Sequence, residues 1–204
     1  MNKFVSTRPV IAALRLIPLL LVANLAHATT YNFTTTFVPE GATNPSLGTG
    51  WAYVSYDDAA QTMHVTSSFT GLLAGVTAAH IHAATAVANT GTAGVATQTP
   101  TFLGFPSGVT AGYYDHIYDM TVNSSFNNSF RTANGGTAAS ASAALLTAMM
   151  ADKTYFNIHT TAFPGGEIRG FMHAAVPDGG ATAVLLAAGV GTLVGVARRR
   201  KAAV

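Results

Sequence analysis

Two histidines, His80 and His82, stand one residue apart in the segment Ala79-His80-Ile81-His82. Successive side chains on an extended strand point to opposite faces, so residues i and i+2 share a face and these two imidazoles converge. Nitrogens placed that way suit a transition-metal ion held at roughly 2.0–2.1 Å from each ring, and imidazole-rich sites favour copper or zinc. On a wet face the same pair would bond only to solvent or backbone. A third histidine lies in Tyr155-Phe156-Asn157-Ile158-His159-Thr160, and His159 becomes the natural third ligand if its strand runs near that of His80. The period of two puts Asn157 and Thr161 on the face of His159 and turns Phe156 and Ile158 towards the core. His116 is a fourth candidate; His64 and His173 are poorer ones.

Glu167 and Arg169 are also two apart and share a face, with Ile168 opposite. The expectation is a bidentate ion pair between them that locks a hairpin. Asn157, Glu167 and Arg169 are thus structural groups, placed to orient a ligating histidine. Pro164, Gly165 and Gly166 between the two runs supply turn chemistry. There is no nucleophile elbow, no phosphate-binding glycine loop, no Cys–His pair and no close carboxylate pair on one strand. A structural or binding role is therefore expected rather than catalysis, with a metal-dependent redox activity as the alternative the histidines leave open. The ring faces of Tyr113, Tyr114 and Tyr118 provide a third reading, stacking against a polysaccharide.

The elements that must position these residues read as mainly β. Tyr31, Phe33, Thr35 and Phe37 alternate with polar neighbours, and so do Met63, Val65, Ser67 and Phe69. Residues 51–56 form a second strand with Trp51 and Tyr53 on one face, hairpinned to 63–69 through Asp57 and Asp58. Residues 77–83 carry the first two histidines. In 113–122, Tyr114, His116, Tyr118 and Met120 oppose Asp115, Ile117 and Asp119, the pattern of an antiparallel strand with one wet face. Residues 39–50, 84–94 and 124–136 read as loops, and 100–106 is short, aromatic and bounded by prolines. One helix is expected over 140–151, with Leu145, Leu146, Met149 and Met150 as its buried stripe. About eight short strands separated by turns predict an antiparallel β-sandwich, either superoxide dismutase-like or an immunoglobulin-like Greek key.

The chain has 204 residues, a formal net charge of +2 and no cysteine. Its positive charge lies at the ends: between Thr29 and Val176 there are three basic residues (Arg131, Lys153, Arg169) against seven acidic ones. A middle without clustered Lys or Arg excludes a nucleic-acid surface. Lys3, Arg8 and Arg15 precede an apolar run at 16–25 and the small residues Ala26 and Ala28, the three parts of an export signal. Residues 1–28 are thus expected to be a signal peptide read by the Sec machinery and cut by signal peptidase after Ala28. Without cysteine the exported domain, 29–175, has no disulfide and must be held by its core. In 176–204, an uncharged apolar run at 181–197 is long enough to span a hydrocarbon core, and the Arg/Lys cluster at 198–201 would keep that end cytoplasmic.

Val176, Pro177, Asp178, Gly179 and Gly180, followed by that helix and that cluster, resemble a PEP-CTERM sorting signal in its VPDSG-like variant, with Gly179 in the place of serine. The resemblance implies recognition by an exosortase-type membrane enzyme, transient membrane anchoring, and delivery to the cell surface or an exopolysaccharide matrix. Ala79-His80-Ile81-His82, with 155–160 and Pro164-Gly165-Gly166-Glu167-Ile168-Arg169-Gly170, resembles the CHRD domain over residues 31–172. That likeness implies an extracellular β-rich module. Residues 79–82 are also similar to the His-Val-His segment of Cu/Zn superoxide dismutases, and Ile158-His159 to a later copper-ligand segment. The disulfide of those enzymes has no cysteine here to form it.

Overall fold

The computed structural model describes residues 29–175. The expected signal peptide with its cleavage point at Ala28, the motif Val176–Gly180 and the apolar helix of 181–197 lie outside the described residues. Among the described residues no helix is long and apolar enough to cross a membrane.

Eight antiparallel strands form one curled half-barrel: β1 (Thr30–Pro39), β2 (Thr49–Asp57), β3 (Thr62–Thr70), β4 (Val76–His82), β5 (Gly112–Asp119), β6 (Tyr155–Thr160), β7 (Ile168–Phe171) and β8 (His173–Ala174). Their order across the sheet is β4-β6-β7-β1-β2-β3-β5, with β8 beside β1. The mainly antiparallel β reading therefore holds, while this pairing leaves the superoxide dismutase-like and immunoglobulin-like sandwich types unassigned. The curl is made by β1. Residues 30–37 of β1 pair with β2, and its last two, Val38 and Pro39, pair with Arg169 and Ile168 of β7.

Alternation decides what each strand buries. Phe33 and Phe37 of β1, Val54 and Tyr56 of β2, and Met63 and Val65 of β3 all point inward and are buried. Trp51 and Tyr53 share the opposite, outer face of β2. On β5 the inward Tyr114 and Tyr118 are buried, and Asp115, Ile117 and Asp119 point outward and are exposed.

The free edges of β4 and β5 are bridged by the loop that contains 100–106. Its Phe102 N–H donates to Ala79 O (2.9 Å) and Gly108 N–H to Val76 O (2.8 Å), both on β4. On the β5 side, Leu103 N–H donates to Tyr118 Oη (2.9 Å), and Tyr114 Oη donates to Leu103 O (3.0 Å). The loop also drops Phe102 and Phe105 into the core against Phe156, at centroid distances of 5.5 and 6.2 Å.

The helical region differs from expectation in two ways. Residues 124–136 are not a plain loop: they hold part of a 3-10 turn (Asn123–Ser125) and a short helix, α1 (Asn128–Ala133). Asn127 caps α1 by accepting from Ser129 N–H at 2.8 Å. Six residues with only Phe130 and Ala133 apolar are too short to show helical periodicity, so only that cap was available as a signal. The second helix, α2 (Ala138–Met150), starts two residues earlier than expected, at a capping box made by Thr137 and Ser140. Its buried stripe is Ala138, Ala141, Ser142, Leu145, Ala148 and Met149, while Met150 is half exposed. Alanine and serine fill the buried side, where Ser142 Oγ hydrogen-bonds Tyr56 Oη of β2, and Met150 points outward.

Candidate metal centre

Strands β4 and β6 pair so that Ala78 lies opposite His159, His80 opposite Asn157, and His82 opposite Tyr155. Directly opposite residues share a face. One face of this ladder therefore carries His80, His82, Tyr155, Asn157 and His159, and the other carries Ala79, Ile81, Phe156 and Ile158, all of them in the core. The histidine face would be wet in an open sheet. Here it is roofed by the loop that follows β4 and by the turn between β6 and β7, leaving His80, His82 and His159 only 6%, 8% and 9% exposed. Thr161, expected to share this face, falls just past the end of β6 and is exposed.

The three imidazoles converge, with ligand nitrogens all within 4.8 Å of one another, so the cluster could hold a metal ion. Ring centroids are 4.7 Å apart for His80–His82, 4.6 Å for His80–His159 and 6.0 Å for His82–His159. Backbone carbonyls set the tautomers. His82 Nδ1 lies 2.8 Å from Ala93 O and His159 Nδ1 lies 2.9 Å from Pro164 O. A carbonyl only accepts, so both Nδ1 atoms carry the proton and each neutral ring keeps its lone pair at Nε2. The His159 Nε2 lone pair accepts from His80 Nε2–H at 2.9 Å. That leaves His82 Nε2 and His80 Nδ1 buried without a hydrogen-bond partner.

Burial is the main reason His80 and His82 resist protonation. It pushes His80 down to about 3, with His159 and His82 adding to the effect and the nearby Pro100 backbone offsetting it in part. Burial likewise lowers His82 to about 4; the Ala93 carbonyl opposes this, and His159 and Arg169 reinforce it. Neutral, tautomer-fixed imidazole is the form that ligates a metal.

A second layer holds the rings. Tyr155 stacks flat on His82, with centroids 4.5 Å apart and planes 6° apart, and its hydroxyl donates to the same Ala93 carbonyl at 3.3 Å. The Arg169 guanidinium lies 5.0 Å over the Tyr155 ring and 5.4 Å over Phe171. Its ion partner is not Glu167. Arg169 reaches Glu40 Oε1 at 3.0 Å, and Glu40 Oε2 accepts from Asn157 Nδ2 at 2.9 Å.

Glu167, fully buried, stands just before β7 and after the Gly166 turn, whose φ is 131°. From there its carboxylate accepts from Ser46 Oγ, Leu73 N–H and Thr160 Oγ1, each at 2.6 Å. The expected Glu167–Arg169 lock is thus two separate devices, because the turn breaks the alternation that would have aligned them. A Cβ on Gly166 would run into Glu40 Oε2 and lie 2.6 Å from the Asn157 carboxamide, so the turn needs glycine for space as well as conformation.

The other histidines among the described residues stay outside the cluster. His64 pairs with Asp115 at 2.9 Å, and His173 with Asp152 at 3.3 Å. His116 lies between the rings of Tyr114 and Tyr118, at centroid distances of 6.2 and 4.7 Å. The expected sugar platform fails in the form given: Tyr114 and Tyr118 face the core, and only Tyr113 is exposed. Glu40, Tyr155 and the carbonyls of Ala93 and Pro164 were not singled out from sequence. Glu40 sits 117 residues from Asn157, in a stretch that reads only as loop.

These features define an antiparallel β module with a roofed histidine cluster on one face. The chain belongs to the CHRD family: residues 28–172 match the CHRD domain. No curated protein and no solved structure matches it. That membership suggests a small extracellular or structural module.

Proposed function

We propose that this chain is an exported CHRD module with a binding rather than catalytic role, and that its histidine cluster holds one copper or zinc ion. The observation that carries the metal reading is the orphaned Nε2 of His82, buried beside the His80–His159 pair. An unsatisfied buried polar atom costs about 1–3 kcal/mol, and a metal ion shared by the three rings would satisfy it. His80, His82 and His159 would supply the ligands, with Tyr155, Arg169, Glu40 and Asn157 holding them in place. A bound ion would add Lewis-acid or, for copper, one-electron chemistry; the chain's own residues provide neutral rings, fixed tautomers and exclusion of water.

Export rests on the N-terminal pattern ending at Ala28, and a surface or matrix destination on the motif at 176–180 with the apolar run and basic cluster behind it. Under this reading the partners are the Sec machinery, signal peptidase and an exosortase-type enzyme.

Metal analysis of the purified full-length protein tests the binding role. One equivalent of copper or zinc is expected, lost in His82→Ala and retained in His64→Ala. Absence of stoichiometric metal after loading, or metal indifferent to His82→Ala, overturns it. Fractionation of cells tests the destination: full-length protein confined to the cytoplasm would refute export.

A further inference from the structure

The outer face of β1, β2, β3 and β5 lies away from the histidine cluster. Antiparallel register aligns its side chains in rows across the strands. One row is Thr36, Trp51, Ser68, Tyr113; the next is Thr34, Tyr53, Thr66, Asp115. Trp51 is 43% exposed and Tyr113 is 58% exposed, high values for rings on a regular sheet face. The two aromatics stand in the same row two strands apart, a separation of roughly 9–10 Å, with only the small Ser68 between them. Trp51 and Tyr53 also wall a groove of about 670 Å³ with Thr34, Thr36 and His173.

The chemistry of this face narrows its occupant. No Lys or Arg stands on these four strands, while Asp115 and Asp119 point outward from β5. An anionic polymer or an anionic lipid surface would meet these carboxylates with no Lys or Arg on the strands to offset them. The Ser68 hydroxyl lies between the rings and those of Thr34, Thr36 and Thr66 lie beside them, a mixed donor and acceptor set that matches a polyhydroxylated ligand. Flat rings with a small residue between them and hydroxyls alongside accommodate the apolar faces of successive pyranose rings. Asp115 is fixed as an acceptor: His64 and Tyr113 both hydrogen-bond to it, at 2.9 and 3.2 Å, and the His64 contact leads in holding its carboxyl below the ordinary range.

We infer that this face is a binding site for an uncharged polysaccharide chain, with Trp51 and Tyr113 as stacking anchors two sugar rings apart. The site is independent of metal binding. It moves the sugar-stacking role from Tyr114 and Tyr118, which are buried, to the opposite side of the sheet.

Trp51 is the sole tryptophan of the chain, so its fluorescence reports directly on the site. The experiment titrates the full-length protein, in mild detergent, with hydroxyethylcellulose and with dextran sulfate, following tryptophan emission and gel retardation. The expected result is a blue shift and retardation with hydroxyethylcellulose alone. Tyr113→Ala should weaken the affinity about tenfold or more, as loss of an interface anchor does. Tyr31→Ala, away from both rows, should bind normally. Three outcomes overturn the inference: no shift or retardation with hydroxyethylcellulose, retardation unchanged in Tyr113→Ala and Trp51→Ala, or a response to dextran sulfate only. An emission shift that depends on protein concentration without glycan also overturns it, since it would assign the face to a second copy of the chain.

Discussion

His82 and His64 are both strand histidines with a neighbouring polar group, yet they live in opposite surroundings. His82 is 8% exposed, bonded through Nδ1 to a carbonyl, and keeps a buried lone pair unused. His64 lies on an outer face, its side chain 38% exposed, and points its Nε2 at a still more open carboxylate, Asp115. Strand geometry is the same in both places. What differs is the roof: loops and a tight turn close over the face of β4 and β6, while nothing among the described residues covers β3 and β5 around His64. Coverage converts a weak sequence pattern into a site, because it strips water from the rings and leaves backbone carbonyls to fix their protons.

The comparison is broken most severely by removing what holds the roof down. Glu167→Ala leaves Ser46, Leu73 and Thr160 without their shared buried acceptor, and unsatisfied buried groups cost about 1–3 kcal/mol each. We expect a loss of about 3–5 kcal/mol in urea unfolding, accompanied by loss of metal affinity. A drop below about 1 kcal/mol would mean that the turn does not depend on this carboxylate.

A change of pH sharpens the contrast by a smaller amount. His80 and His82 sit at about 3 and about 4 in the folded chain, below the ordinary 6.5. Their folded values are depressed, so the unfolded chain binds more protons below 6.5, and the stability they contribute is complete above that pH. It is lost progressively as pH falls towards 4 and below. In metal-free protein the melting temperature should therefore fall by roughly 5 °C or more between pH 7.5 and 4.5. The fall should shrink when both residues are replaced by Asn and persist in His64→Ala. An equal fall in the double variant would locate the acid sensitivity elsewhere.

The smallest effect is expected on the open side. His64→Ala should leave the melting temperature at pH 7.5 within experimental scatter, because an exposed pair in water contributes little. A clear loss there would show that the open face is more closely tied to the fold than its exposure implies.

Much of this was legible in residue order. Alternation at Phe33, Phe37, Met63 and Val65 placed the strands and sorted their side chains into two faces, because a half-buried strand has no other way to sort them. The shared face of His80 and His82 followed from the same period of two. The Tyr114–Tyr118 stripe was visible too, although its direction was not: alternation identifies two faces without saying which is wet. Helix α2 was seen but rotated, since Leu, Ala and Met all serve in a helix and only the packed sheet distinguishes Met149 from Met150.

Sequence alone therefore determined the β class and the shared face of His80 and His82, both local consequences of backbone geometry, while its motifs carried the likeness to the CHRD family. The tertiary structure alone decided that β4 lies against β6, bringing His159 to His80 across 79 residues. It also chose the partners of the charges, sending Arg169 to Glu40 and Glu167 to Ser46, Leu73 and Thr160. Those choices depend on how separate segments close over one another, and no local period records that.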